Sequence, residues 1–309
     1  MFSCFFFHKD KKPKTAAATN LLKINKNEIV TDKRLGKGGS GDVFHGQWNE
    51  KSIAIKHFPV PDYDVYSDEE ENNAYNKECR KYAYECERDM AQLLINKKNL
   101  NEYVIQYYGC IEAGESYSLV MEFMPKGDLF GYIFGDYPPN LTHTMFLACD
   151  VVTGLQWLHQ YKIIHCDIKL ENILISEKLT AKIADFGSSI SIENTAPVKM
   201  LKGTCGYQAP ELLRAEIENR SMPYSSKSDL YAFGIMLVEM INLESAYDEM
   251  PRKKVDKLTL SNKRPNISDE CPQDLKAVIQ SIWLENPIAR PETKVVRKEL
   301  EMIRNTMRP

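Results

Sequence analysis

The apolar pattern of this chain changes period at Pro125, and that change constrains the fold more than any other feature. Before it, short runs alternate in the manner of strands: 29–35, 43–48, 52–58, 104–110 and 117–123. After it come long segments of helical period, such as 145–160 and 229–241. The pattern predicts an α+β chain with a strand-rich small lobe over 29–121, a hinge over 122–127 and a helical large lobe over 128–307. A helix is predicted over 74–96 of the small lobe, and residues 1–28 are read as a flexible tail. The acidic run Asp62, Asp64, Asp68, Glu69, Glu70 and Glu71 is read as a solvated loop. No internal repeat is present.

Composition removes several function classes. Lys plus Arg number 40 against 43 Asp plus Glu, a net charge of −3, so the chain lacks the basic excess of a general nucleic-acid binder. Its 8 cysteines are scattered without a CxxC pair, which argues against a zinc site and a disulfide framework, and for a reducing, cytoplasmic compartment. No apolar stretch is long enough for a membrane-spanning helix. Phe2 excludes N-myristoylation. Cys4, set among phenylalanines and followed by Lys9, Lys11, Lys12 and Lys14, provides an alternative to the plain flexible tail: a weak membrane anchor made of one acyl chain and a basic patch.

Three clusters carry chemistry. Gly36-Lys37-Gly38-Gly39-Ser40-Gly41-Asp42-Val43 fits G-x-G-x-x-G-x-V, in which glycine lets backbone approach phosphate closely. Alone it is no more than a hairpin turn. Thirteen residues after Val43 comes Lys56, which shares a strand face with Ala54. The small Ala54 leaves room for a flat ring, and Lys56 can reach phosphates. The second cluster is His165-Cys166-Asp167-Ile168-Lys169-Leu170-Glu171-Asn172, and the third is Asp185-Phe186-Gly187. Apolar runs at 173–175 and 182–184 read as a hairpin between them; if Leu174 faces Ile183, Asn172 faces Asp185. An amide oxygen and a carboxylate side by side suit Mg²⁺. Asp167 is placed to orient a substrate hydroxyl, and Lys169 to offset phosphoryl charge.

In this order and spacing the motifs resemble those of eukaryotic-type protein kinases, over about residues 29–307. The resemblance implies a bilobal protein-kinase-like fold, ATP and Mg²⁺ as cofactors, and a protein substrate with a serine or threonine acceptor. It implies that the glycine-rich loop covers ATP, that Lys56 is the strand lysine, that Asp167 is the catalytic-loop aspartate, and that Asn172 and Asp185 are the metal ligands. Glu211 of Ala209-Pro210-Glu211 would pair with Arg290, and Asp229 would brace the catalytic loop. Met121 falls at the gatekeeper position, Glu122 and Met124 at the adenine-binding hinge, and Asp128 at a ribose-binding position. The glutamate that partners Lys56 is one of Glu78, Glu85 and Glu87; Glu87 is favoured because Met90, Ala91 and Leu94 follow it on one helix face.

Lys169 and the run Gly203–Glu211 resemble serine/threonine kinases, with Thr204 able to bridge Asp167 and Lys169. Gly46-Gln47-Trp48 and Ile282–Pro287 resemble the tyrosine-kinase-like group, whose members are mostly serine/threonine enzymes. Two alternatives stand beside that reading: a tyrosine or dual-specificity kinase, and a catalytically dead scaffold. Retention of Lys56, Asp167, Asn172 and Asp185 speaks against the scaffold. The chain departs from the family at Cys166, where His-Arg-Asp is usual, which puts control by activation-loop phosphate in question.

Overall fold

The computed structural model describes residues 21–38, 41–58, 69–97, 101–114, 116–193 and 198–307. Cys4 with its lysines, Gly39 and Ser40 of the glycine-rich loop and residues 62–68 of the acidic run lie outside the described residues. The chain divides into two compact units: residues up to 100 with 105–123, and residues 101–104 with those from 124 onward.

In the first unit, β1 (Ile29–Gly38), β2 (Gly41–Trp48), β3 (Lys51–His57), β4 (Tyr107–Ala113) and β5 (Ser116–Glu122) form an antiparallel sheet in the order β1-β2-β3-β5-β4. Asn49 and Glu50 make the two-residue turn between β2 and β3, both with φ near +55 (48 and 62), the signature of the tight turn that matches strand twist. Period-two alternation splits β3 between two buried faces. Ile53 and Ile55 meet Ile111 and Val120 on one face, and Ala54 and Lys56 lie on the other. Helix α1 (Glu69–Ile95) brings Tyr84, Glu87, Ala91 and Leu94, all buried, into this unit.

Three boundaries differ from the sequence reading. Helix α1 begins at Glu69 rather than 74, because acidic residue types favour a helix start as readily as a loop. The small unit begins before residue 29: Leu21 and Ile24 are buried, and Ile24 N–H donates to Cys110 O at 2.9 Å. Residues 101–104 belong to the second unit because Val104 bridges Ile183 and Ile183 N–H donates to Tyr103 O at 2.9 Å. No helix among the described residues is long and apolar enough to cross a membrane.

The second unit contains α2 (Leu129–Ile133), α3 (Leu141–Gln160), β6 (Ile163–Ile164), β7 (Ile173–Ile175), β8 (Ala181–Ile183), β9 (Ile190–Ser191), α4 (Pro210–Ile217), α5 (Ser226–Asn242), α6 (Arg252–Leu260), α7 (Gln273–Ile282) and α8 (Thr293–Thr306). Helix α5 is buried at every residue from Ser228 to Met240, and it packs against α3, α7 and α8. Its start is fixed by a reciprocal cap between Ser225 and Ser228.

The β7–β8 hairpin corrects the expected register. Ile173 pairs with Ile183 and Leu174 with Lys182, one residue away from the expected Leu174–Ile183 pairing. Matching burial decides it: Ile173, Ile175, Ala181 and Ile183 are buried on one face, whereas Leu174 and Lys182 are half-buried on the other. Asn172 therefore faces Ala184, whose N–H donates to Asn172 O at 2.9 Å, and Asp185 is the next residue along.

Candidate active site

The first unit builds the lysine site. Gly36, Lys37 and Gly38 of β1 pair with Val43, Asp42 and Gly41 of β2. Gly41 has φ 148, and a Cβ there would sit 2.3 Å from His57 O; only glycine fits. Lys56 Nζ lies 2.7 Å from Glu87 Oε2, with the two residues 4% and 1% exposed. Of the three candidate glutamates, the structure thus joins Glu87 to Lys56; Glu78 is exposed and Glu85 half-buried. Tyr107, which sequence reasoning missed, donates its hydroxyl to Glu87 Oε1 at 3.1 Å. The second hydrogen bond gives the buried carboxylate another partner. Ala54 pairs with Met121 across β3 and β5, and Glu122 ends β5 with its Oε1 accepting from Gln106 N at 2.8 Å.

The second unit builds the acid site around a buried brace. Asp229, 1% exposed at the start of α5, accepts from His165 N at 2.9 Å, Cys166 N at 3.0 Å and His159 Nε2 at 2.9 Å. This holds Cys166 at φ 67, a conformation that costs a non-glycine residue energy unless its surroundings impose it. His165 Nδ1 accepts from Asp167 N at 3.3 Å, so Nε2 is the nitrogen that donates to Ala184 O at 2.9 Å. Phe186 packs edge-on against the His165 ring at 5.1 Å, tying the Asp185 segment to the same histidine. His159 also escaped the sequence reading; a histidine ending α3 carries no signal that a partner 70 residues away awaits it.

Asp167 is held from several sides. Thr204 donates to its Oδ1 from both N and Oγ1 at 2.8 Å, Asn172 Nδ2 donates to Oδ2 at 3.1 Å, and Lys169 Nζ is 3.7 Å from Oδ2. Lys169 Nζ also donates to Thr204 Oγ1 at 2.8 Å, so the threonine hydroxyl bridges lysine and aspartate. Asn172 turns both amide hydrogens toward Asp167, since Nδ2 also donates to Asp167 O at 2.8 Å. Its amide oxygen is then the atom available to a cation. Asp185, at φ 58 and ψ 77, supplies a carboxylate two positions beyond the Ile183 pairing. One amide oxygen and one carboxylate, without a histidine or thiolate, form a donor set that fits Mg²⁺ sharing its shell with water and phosphate. Among the described residues no cluster of three or more His, Cys, Asp or Glu could hold a metal alone.

Burial, followed by the nearby Asp229 carboxylate, pushes the Cys166 thiol well above its ordinary pKa, so it stays protonated and inert. Its Sγ is 3.6 Å from Ile164 O. Asp128 caps α2, accepting from Gly131 N at 2.7 Å, and Met124 is buried in the second unit. Arg290, 1% exposed, meets Glu211 as a fork, Nη1 to Oε1 at 2.7 Å and Nη2 to Oε2 at 2.8 Å.

The protein kinase domain family matches residues 29–300. The chain is 28% identical over 287 residues to a probable LIM domain-containing serine/threonine-protein kinase of Dictyostelium discoideum, covering 92% of this chain and 40% of that one. It is 29% identical over 287 residues to a dual specificity protein kinase of the same organism, covering 89% and 40%. A serine/threonine/tyrosine-protein kinase of Arabidopsis thaliana is 25% identical over 278 residues, covering 89% and 66%. The chain spans from 20% to 40% of the length of several of the Dictyostelium relatives it matches.

Proposed function

The chain belongs to the protein kinase domain family, and on that premise we propose that it transfers the γ-phosphoryl group of ATP to serine or threonine hydroxyls of protein substrates. The observation that carries this reading is the bridge from Lys169 through the Thr204 hydroxyl to Asp167. It fixes the carboxylate whose remaining lone pairs would accept a hydrogen bond from an incoming hydroxyl, while Lys169 stands ready to offset charge on the moving phosphoryl group. In the first unit, Lys56, aimed by Glu87, would position the phosphates. Asn172 and Asp185 would hold Mg²⁺, which when bound neutralises phosphate charge. Most of the rate then comes from positioning and fixed charge rather than from covalent chemistry.

Incubation of the purified chain with labelled ATP, Mg²⁺ and a peptide library tests this. The expected outcome is transfer that vanishes in Asp167→Ala and falls more than tenfold in Lys56→Met and Asp185→Asn, with each variant folded. Transfer above a tenth of the wild-type rate in either of the last two overturns the role assignment. The dual-specificity names among the relatives favour one second reading, in which tyrosine is also accepted. Phosphoamino-acid analysis of the products separates the two.

A further inference from the structure

The β4 edge of the five-stranded sheet is not bare. Residues 21–24 run beside it: Lys23 bridges Cys110 in parallel, Cys110 N donates to Leu22 O at 2.8 Å, and Ile24 N donates to Cys110 O at 2.9 Å. The fit is close at Gly109, where a Cβ would lie 2.4 Å from Leu22 O. Ile24 joins the apolar cluster of Ile53, Ile55, Ile111 and Val120. All four residues precede the start of the family match at residue 29.

Covering an edge requires only these ladder bonds. Here the segment also reaches the helix that carries Glu87. Leu21, 5% exposed, donates its N–H to Gln92 Oε1 on α1. Lys23 Nζ meets Glu112 at 2.6 Å, and Glu112 also accepts from Tyr84 OH at 2.8 Å and Arg88 Nη1 at 3.5 Å, both on α1. Tyr84, Glu87, Arg88, Ala91 and Gln92 follow steps of three and four, so one face of α1 serves both Lys56 and this segment. The Lys23 side chain is 77% exposed, so its ion pair contributes little; the buried Leu21 and Ile24 and their backbone bonds carry the attachment.

We infer that Leu21–Ile24 is a positioning strap, which holds α1 against the β4 edge so that Glu87 stays within reach of Lys56. This inference rests on the proposed kinase activity. The lysine–glutamate pair is buried, and moving α1 outward would carry Glu87 away from Lys56, so the strap acts on the rate through that pair.

The full-length chain is compared with Leu21→Asp, Gln92→Ala, Gln92→Glu and, as a control at an exposed position, Leu22→Ser. Each is made in the wild-type and Glu87→Gln backgrounds. The readouts are peptide phosphorylation rate, melting temperature and amide hydrogen exchange over 84–95. Leu21→Asp and Gln92→Ala are expected to slow transfer about tenfold in the wild-type background and less than twofold in Glu87→Gln, where the pair is already broken. Gln92→Glu keeps an acceptor and should restore the rate to within about threefold, with Leu22→Ser unchanged. Exchange over 84–95 should quicken in the two damaging variants. Equal slowing in both backgrounds would reveal a folding effect and overturn the strap, as would no slowing at all. If the wild type transfers no phosphate, the proposed function fails, and hydrogen exchange alone judges the strap: unchanged protection in Gln92→Ala sinks it.

Discussion

Replacing Thr204 by valine isolates the hydroxyl that links Lys169 to Asp167. Valine has nearly the shape of threonine, and the backbone N–H to Asp167 Oδ1 at 2.8 Å survives. What disappears is the Oγ1–H bond to Asp167 Oδ1 and the acceptor for Lys169 Nζ, both at 2.8 Å. A hydrogen bond to a charged group is worth about 1.5–3 kcal/mol. Lys169 remains 3.7 Å from Asp167 Oδ2, too far for a hydrogen bond to replace what is lost. If that energy goes into aiming the Asp167 carboxylate in the transition state, kcat falls about 10- to 100-fold with little change in KM for ATP. Thr204→Ser keeps the hydroxyl and should stay within about threefold of wild type. The assay is steady-state peptide phosphorylation, with melting curves to equalise the folded fraction. A valine variant within threefold of wild type, or a serine variant as slow as valine, would refute the bridge as a catalytic device.

Arg290→Met should cost about 4 kcal/mol in urea unfolding, because it leaves the Glu211 carboxylate without its partner and Leu284 O and Lys227 O without their donor; a loss below 1 kcal/mol contradicts this. Burial pushes the Asp150 carboxyl up to about 7, above its ordinary 3.8. The folded state therefore holds a proton that the unfolded chain releases, and stability falls as pH rises from about 4 to about 7. The advantage of Asp150→Asn in urea unfolding should grow by about 2.6 kcal/mol between pH 5 and pH 8, and a pH-independent advantage rules the mechanism out. Cys166 offers no fixed positive charge to an activation-loop phosphate, and Lys202 Nζ is engaged by Ser188 O at 3.0 Å. Phosphatase treatment followed by removal of the phosphatase should leave the initial rate within about twofold; a tenfold fall reversed by rephosphorylation would show that another cation serves.

Much of the site was legible because its chemistry is written in local spacing. The pairing of Ala54 with Lys56 on one face follows from strand parity, and the structure keeps both on the face opposite Ile53 and Ile55. The apolar company of Glu87 at Met90, Ala91 and Leu94 marked the helix face that turned out to be buried. Local spacing failed where two alternatives satisfied the same pattern. Both β7 and β8 are short and apolar, and either register satisfied alternation until burial on one face selected Ile173 with Ile183. The acidic residues from Glu69 suited a loop or a helix start equally, and only the fold, in which α1 begins at Glu69, settled which.

What the sequence alone determined is the order of motifs, the change of period at Pro125 and the chemistry of each cluster, since these depend on neighbours a few residues apart. Only the tertiary structure could decide which distant groups complete them. Lys56 and Glu87 are 31 residues apart, His165 and Asp229 are 64 apart, and Glu211 and Arg290 are 79 apart. Tyr107 on Glu87, His159 on Asp229 and Leu21 on Gln92 have no periodic signature at all. A buried charge must find its partners wherever the packing of the whole unit brings a donor or acceptor, and no pattern confined to a helix turn or a strand repeat encodes that choice.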